Sequence, residues 1–439
     1  MKKPTSNIPI EAVAKGNHFN LRQGLLRMGP GFAYVLTVLG SGDLITNSTA
    51  GAGYGYSLIW ILALGLVFRF VWVNVSAKYV LVTGESLIKG YSRVGKWVLW
   101  LILISIMLLM HLYNMYALVT SGDAFNMLLP LPIESSAKIW SLFFVLVAFG
   151  MSYWGGYGVL ELFCKVLIAA MGVSLVIVAI ISKPDPTKVL VGTFIPSIPA
   201  DSGAYSVSLI VMALVGTVAG SVMNITYTYF IHEKGWTNIS YLKQQRFDLI
   251  FGSICLFLMS SLCQIAAGAT VHPMGLDLKD AHDLVRIFSE VQGTAGLIIF
   301  SLGLWGAAFS TMIGTTVGCA LIVTDLSQYL TKKPWAIKHV GENTRRHPVY
   351  RACVIFWFVS PLYILFTGVS PVWLVLVVSA LAAAVIPVLT PALIKLTSDK
   401  NLMGKYKNGW FTNLILGTMV VVAVYFTCRN IVDLWNKYF

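Results

Sequence analysis

Apolar runs of roughly 18 residues or more recur along the whole chain, broken by short polar stretches that carry most of its lysines and arginines. Each run is long enough to cross a hydrocarbon core about 30 Å thick as a helix. About eleven such segments are expected, centred on 32–52, 57–75, 96–120, 139–154, 159–182, 206–232, 249–270, 295–325, 350–367, 371–396 and 410–428. The alternating strands of about 10 residues that a membrane β-barrel needs are absent from this pattern. The predicted fold class is therefore an all-α polytopic membrane protein.

Two of these runs are interrupted. The first contains Gly40-Ser41-Gly42-Asp43, which has neither the propensity nor the side chains of a helix interior. The sixth contains Gly216, Gly220, Ser221 and Asn224. Non-helical backbone at membrane depth is tolerated where it is buried in protein or lines a polar cavity. The first and sixth runs hold the same place in two successive sets of five. Paired interruptions of this kind point to an inverted-repeat secondary transporter with its binding site at the two breaks, lined by freed carbonyls such as those of Gly40 and Gly220. The alternative for Gly216 and Gly220 is close helix packing, the role also expected of Gly314 and Gly318 in the eighth run. Asp43 favours function in the first run, because a carboxylate at membrane depth is costly.

Composition narrows the class further. The chain has 439 residues, 57% hydrophobic and 11% charged, with a formal net charge of +13. With the N-terminus in the cytoplasm, roughly 22 of the 31 Lys and Arg fall on the inner face. That asymmetry accounts for the positive charge without nucleic acid, and the basic loop at 332–351 reads as an inner-face connection. The polar start lacks the apolar core of a cleaved signal peptide. The six cysteines contain no CxxC pair and read as packing residues rather than a zinc site or disulfide framework. No span combines a nucleophile with a base or carries an HExxH pattern, so an enzyme is not expected.

Gly29-Pro30-Gly31-Phe32, Ala50-Gly51-Ala52 with Tyr54-Gly55-Tyr56, Val82-Thr83-Gly84, Ser310-Thr311 through Gly318, and Ile386-Pro387 are local sequences that together resemble the NRAMP family of proton-coupled divalent-metal transporters. The resemblance implies a LeuT-type fold: an inverted repeat of five plus five transmembrane helices and an eleventh, with helices 1 and 6 unwound at mid-membrane. The corresponding organisation is a cytoplasmic arm at 1–27, a first repeat at 28–182, an extracellular linker at 183–204, a second repeat at 205–396, and the eleventh helix with the C-terminus at 397–439.

The functional motifs depart from the family. Its first-span Asp-Pro-Gly-Asn becomes Gly40-Ser41-Gly42-Asp43, which moves the single carboxylate by three residues. Its sixth-span Met-Pro-His-Asn keeps the thioether as Met223, but Asn224, Ile225 and Thr226 replace the rest. The two third-span acids linked to proton passage correspond to His111 and Asn114, which puts proton coupling in question, and the tenth-span glutamine corresponds to Ala380.

The resulting site hypothesis places a divalent metal on Asp43, Met223 and the carbonyls of Gly40 and Gly220. Sulfur tilts selection toward ions of the Mn²⁺ and Fe²⁺ type. The alternative cargo is Mg²⁺ or a small polar organic solute, bound with help from Asn47, Ser48, Asn224, Thr226 and Tyr227. Arg69 in the second run either pairs with Asp43, stands in for a coupling ion, or snorkels. Glu161 and Lys165 read as an i, i+4 structural pair. The metal is cargo and no cofactor is expected. The expected partners are the cargo and the bilayer, the expected state is a monomer, and the expected location is the cell's inner (plasma) membrane.

Overall fold

A computed structural model of the chain describes residues 40–155, 166, 172–173, 175–201, 203–220, 222–276, 278, 281–331, 333 and 344–438. The N-terminal arm, the opening half of the first span, the Glu161–Lys165 pair and most of the basic 332–351 loop lie outside the described residues.

Every regular element among the described residues is helical, and nine helices are long and apolar enough to span a membrane. The first span enters as the helix Ser41–Tyr54. The second is Ile59–Thr83, the third Lys96–Leu128 and the fourth Ser136–Trp154. The fifth span contributes helical residues at 175–181. The seventh span is Leu242–Thr270 and the eighth lies in Ala281–Thr331, which bends at Gly293. The ninth runs as Pro348–Val359 and tightens to a 3₁₀ turn over Ser360–Phe366, where Pro361 cannot donate to an α-helical ladder. The tenth is split into Pro371–Ala383 and Ile386–Ser398, with Pro387 opening the second piece, and the eleventh is Trp410–Tyr438.

The sixth span is the most altered. It runs as α-helix over Val207–Leu214, widens to a π turn over Val215–Ala219, and breaks at Gly220. It resumes as a 3₁₀ turn, Val222–Ile225, and then the helix Thr226–Glu233. The two candidate glycines divide the work. Gly220 has φ +91° and ψ −179°, a conformation reserved for glycine, and it makes the break. Gly216 lets the sixth span approach the tenth, because a Cβ there would run into the carbonyl of Ser379. Gly318 packs as expected, since a Cβ would stand 2.7 Å from Cγ2 of Thr226.

Burial sorts the spans by role. The apolar window of the sixth is 94% buried and that of the eleventh only 22%, so the broken helix lies in the core and the last helix faces outward. Exposed Trp97, Trp154 and Trp410 mark span ends that alternation along the chain brings to one membrane face, as in an aromatic interfacial belt.

Candidate functional site

The helix of the first span begins at Ser41, with Gly40 extended as its N-cap (φ −84°, ψ −176°). The Gly-Ser-Gly-Asp stretch is thus the start of a described helix, and Asp43 falls in its first turn. Backbone N–H groups at a helix start favour negative charge there. Gly40 and Gly42 also permit close approach: a Cβ at Gly40 would collide with the Thr311 hydroxyl, and one at Gly42 would lie 2.6 Å from the Tyr116 hydroxyl. The sequence led to the expectation of a freed Gly40 carbonyl, but this carbonyl accepts from the N–H groups of Asp43 (3.1 Å) and Leu44 (3.3 Å) as the helix begins.

A cavity of about 30 Å³ lies against this helix start. The first span contributes Gly40, Gly42 and Asp43, and the second contributes Arg69. Tyr113 and Tyr116 come from the third, Gly216, Thr217 and Met223 from the sixth, and Thr311 and Thr315 from the eighth. The hydroxyls of Thr217, Thr311 and Thr315 donate to carbonyls of their own helices, those of Ala213 (2.9 Å), Ala307 (2.7 Å) and Thr311 (2.5 Å). With their protons so used, these oxygens present lone pairs to their surroundings.

Asp43 is 1% exposed. Its Oδ2 accepts from the Ser260 hydroxyl of the seventh span, and its Oδ1 accepts from Asn47 Nδ2 at 3.1 Å. Met223 is buried, and its Sδ accepts from Cys319 Sγ at 3.2 Å. Arg69 is 3% exposed and donates through Nη2 to the carbonyl of Thr217 in the π turn. Local sequence explains the reach. Gly65, one turn earlier on the same face, brings the second span against the break, with its would-be Cβ 3.1 Å from Val218 Cγ1.

The other sequence-predicted residues lie around the cavity rather than on it. Asn47 braces Asp43, also donating to its carbonyl at 2.8 Å. Asn224 Nδ2 donates to the Ala219 carbonyl across the break (3.2 Å), and the Thr226 hydroxyl donates to the Met223 carbonyl (2.6 Å). Both side chains thus serve the carbonyls of the interrupted helix. Gly220 sits behind Asn224, and Tyr227 bonds Asp248 Oδ2 at 3.2 Å. His111 is joined to Ser360 (2.8 Å) and Tyr363 (3.3 Å), and Asn114 donates to Thr316 (3.2 Å) and the Trp357 carbonyl (2.9 Å). Neither lines the cavity. Sequence reading missed Tyr116, Thr217, Ser260, Thr311 and Thr315. The i, i+4 spacing of Thr311 and Thr315 was a usable signal, but it looks the same as a packing face.

Larger hollows flank opposite ends of the second span. One of about 180 Å³ touches Val80, Gly84, Glu85, Tyr229, His232 and Asp325, and one of about 530 Å³ touches Tyr54, Tyr56, Ser57, Lys183, Asp185 and His272.

A helix start at Gly40 in the first span and a break at Gly220 in the sixth, beside a small cavity between hollows at either end of a helical bundle, define the class of multi-pass membrane transporters with a LeuT-type fold. Two solved structures share that fold. A variant of the manganese transporter of Eremococcus coleocola superposes with a TM-score of 0.70 at 15% identity, covering 94% of this chain and 87% of that one. MhsT in complex with L-phenylalanine gives a TM-score of 0.55 at 13% identity, covering 91% of this chain and 97% of that one.

Residues 31–433 match the family model described as natural resistance-associated macrophage protein-like, and the chain belongs to that family. Similar relatives include Metal transporter Nramp1 of Oryza sativa subsp. japonica, 25% identical over 93% of this chain and 79% of the relative. Another is the divalent metal cation transporter MntH of Pectobacterium carotovorum, 21% identical over 90% of this chain and 91% of the relative.

Proposed function

We propose that the protein is a secondary transporter that carries a divalent metal ion of the Mn²⁺ or Fe²⁺ type across the membrane by alternating access. Asp43 is its one ionic ligand in this reading. The observation that carries it is the cavity itself: a carboxylate, three threonine oxygens whose protons face away, and a thioether, around about 30 Å³. That space accommodates one or two water-sized bodies, whereas organic ligands occupy sites of about 300 Å³ or more. Size therefore supports an ion over the organic solute. Family membership and the names of the relatives agree with metal as cargo.

In this scheme the repeats at 28–182 and 205–396 rock about the site, opening it in turn to the 180 Å³ and 530 Å³ hollows. The N-terminus is cytoplasmic. Uptake proceeds without a stoichiometric proton, because His111 and Asn114 are engaged with the ninth span and stand off the cavity. The carboxylate of Asp43 and the oxygens of Thr217, Thr311 and Thr315 on the wall are the specific feature that favours Mg²⁺ as a second reading.

Uptake by the purified protein in vesicles tests both. Asp43→Asn is expected to reduce Mn²⁺ uptake to background, and wild-type rates in that variant would reject the site. Met223→Leu is expected to lower Mn²⁺ uptake several-fold while sparing Mg²⁺. Mg²⁺ uptake with no response to Mn²⁺ would select the second reading.

A further inference from the structure

We propose that Arg69 is a resident cation of the transport site, a tethered positive charge that limits how tightly any metal is held there and so sets the site's specificity. The proposal rests on the metal reading above and deepens it.

Three observations place the guanidinium in a cation's position. It lines the same ion-sized cavity as Asp43, so the two opposite charges face one small volume. It donates to the Thr217 carbonyl inside the π turn, the kind of backbone oxygen that an interrupted membrane helix offers to an ion. It is 3% exposed near the middle of Ile59–Thr83, with Gly65 drawing its helix onto the break, which excludes snorkelling to headgroups.

The electrostatic consequence is direct. The cavity wall carries one full negative charge, Asp43, and Arg69 balances it. The other titratable groups on the wall are Tyr113 and Tyr116 from the third span, while the sixth and eighth spans supply threonine, methionine and glycine. A divalent ion entering this volume meets a fixed positive charge at short range in a poorly screened environment. Arginine cannot relieve the conflict by losing its proton, whereas lysine can. The guanidinium must therefore yield the Thr217 carbonyl and its place on the cavity wall to the metal, or share them. Loose binding and easy release follow, and the movement of Arg69 is linked to the sixth-span break through Thr217.

The test is a Mn²⁺ titration of purified full-length wild type, Arg69→Met and Arg69→Gln, each checked for a monodisperse elution profile. The neutral variants are expected to bind Mn²⁺ at least tenfold more tightly than wild type, and adding Asp43→Asn should abolish the gain. Equal or weaker binding, or no binding by any of the proteins, overturns the proposal. Arg69→Ala and Arg69→Leu carry the same test if Met and Gln fail to fold: either is expected to bind Mn²⁺ at least tenfold more tightly than wild type, and equal or weaker binding overturns the proposal.

The outcome separates from that of the cargo reading. Tight Mn²⁺ binding by Arg69→Met beside a wild type that transports no metal keeps the resident cation and removes the metal cargo. Mn²⁺ transport by wild type with no gain in Arg69→Met does the reverse.

Discussion

Asp43 illustrates how one side chain can be readable in sequence while its surroundings are not. A lone carboxylate in an apolar run announces itself, because its cost demands a reason. What holds it is a serine more than two hundred residues away, Ser260, together with Asn47 one turn along its own helix. Gly220 is the second decisive residue. Its φ of +91° with ψ near 180° lies in a region that side chains do not adopt, and a Cβ would also strike Asn224. Gly220→Ala should therefore cost about 1–3 kcal/mol of stability through backbone strain. The expected readouts are a lower thermal unfolding midpoint and reduced uptake, and an unchanged midpoint would show that the break tolerates a side chain.

Among the elements, the sixth span shows how an interrupted helix is kept from unravelling. Three side chains answer carbonyls around the break: Arg69 to Thr217, Asn224 to Ala219, and Thr226 to Met223. Polar residues that look like ligands in the sequence are thus engaged by the damaged ladder, since bare carbonyls in a lipid-facing bundle are expensive. The far half of the same span is tied down as well. Tyr229 donates to Asp325 Oδ2 of the eighth span at 2.6 Å, and Gln328 donates to Oδ1 at 2.5 Å. A hydrogen bond to a charged group contributes roughly 1.5–3 kcal/mol. Tyr229→Phe should lower the unfolding midpoint accordingly and change the uptake rate, because it loosens the half-helix beside the 180 Å³ hollow. Identical melting and uptake would mean that this tie holds nothing.

For the whole molecule, the proposal places two hollows on opposite sides of the membrane with an ion-sized site between them. In the proposed orientation Lys405 lies inside, in the short connection before the eleventh span, and Thr187 lies outside, in the 183–204 linker. In intact cells, a membrane-impermeant thiol reagent should label Thr187→Cys, and Lys405→Cys only after permeabilisation. The opposite pattern would invert the orientation. Cys428 is exposed and Cys164 lies outside the described residues, so replacing both by serine gives the background for this experiment.

The sequence pattern was sufficient for the nine spanning helices among the described residues and for the break at Gly220, because in lipid each helix must satisfy its own backbone and every departure leaves a local trace. Gly220 and Asp43 left such traces, and so did Arg69. Thr217 and Tyr116 left none, and the i, i+4 spacing of Thr311 and Thr315 was ambiguous, since a hydroxyl in an apolar run looks the same whether it faces a neighbour or a cavity. Their assembly around about 30 Å³ draws on the first, second, third, sixth and eighth spans. It depends on approaches allowed by missing side chains at Gly40, Gly42, Gly65 and Gly216. The chain by itself determined where helices form and where they fail. Only the tertiary structure decided which oxygens share a volume with which charge, because that depends on contacts between segments whose order in sequence carries no distance information.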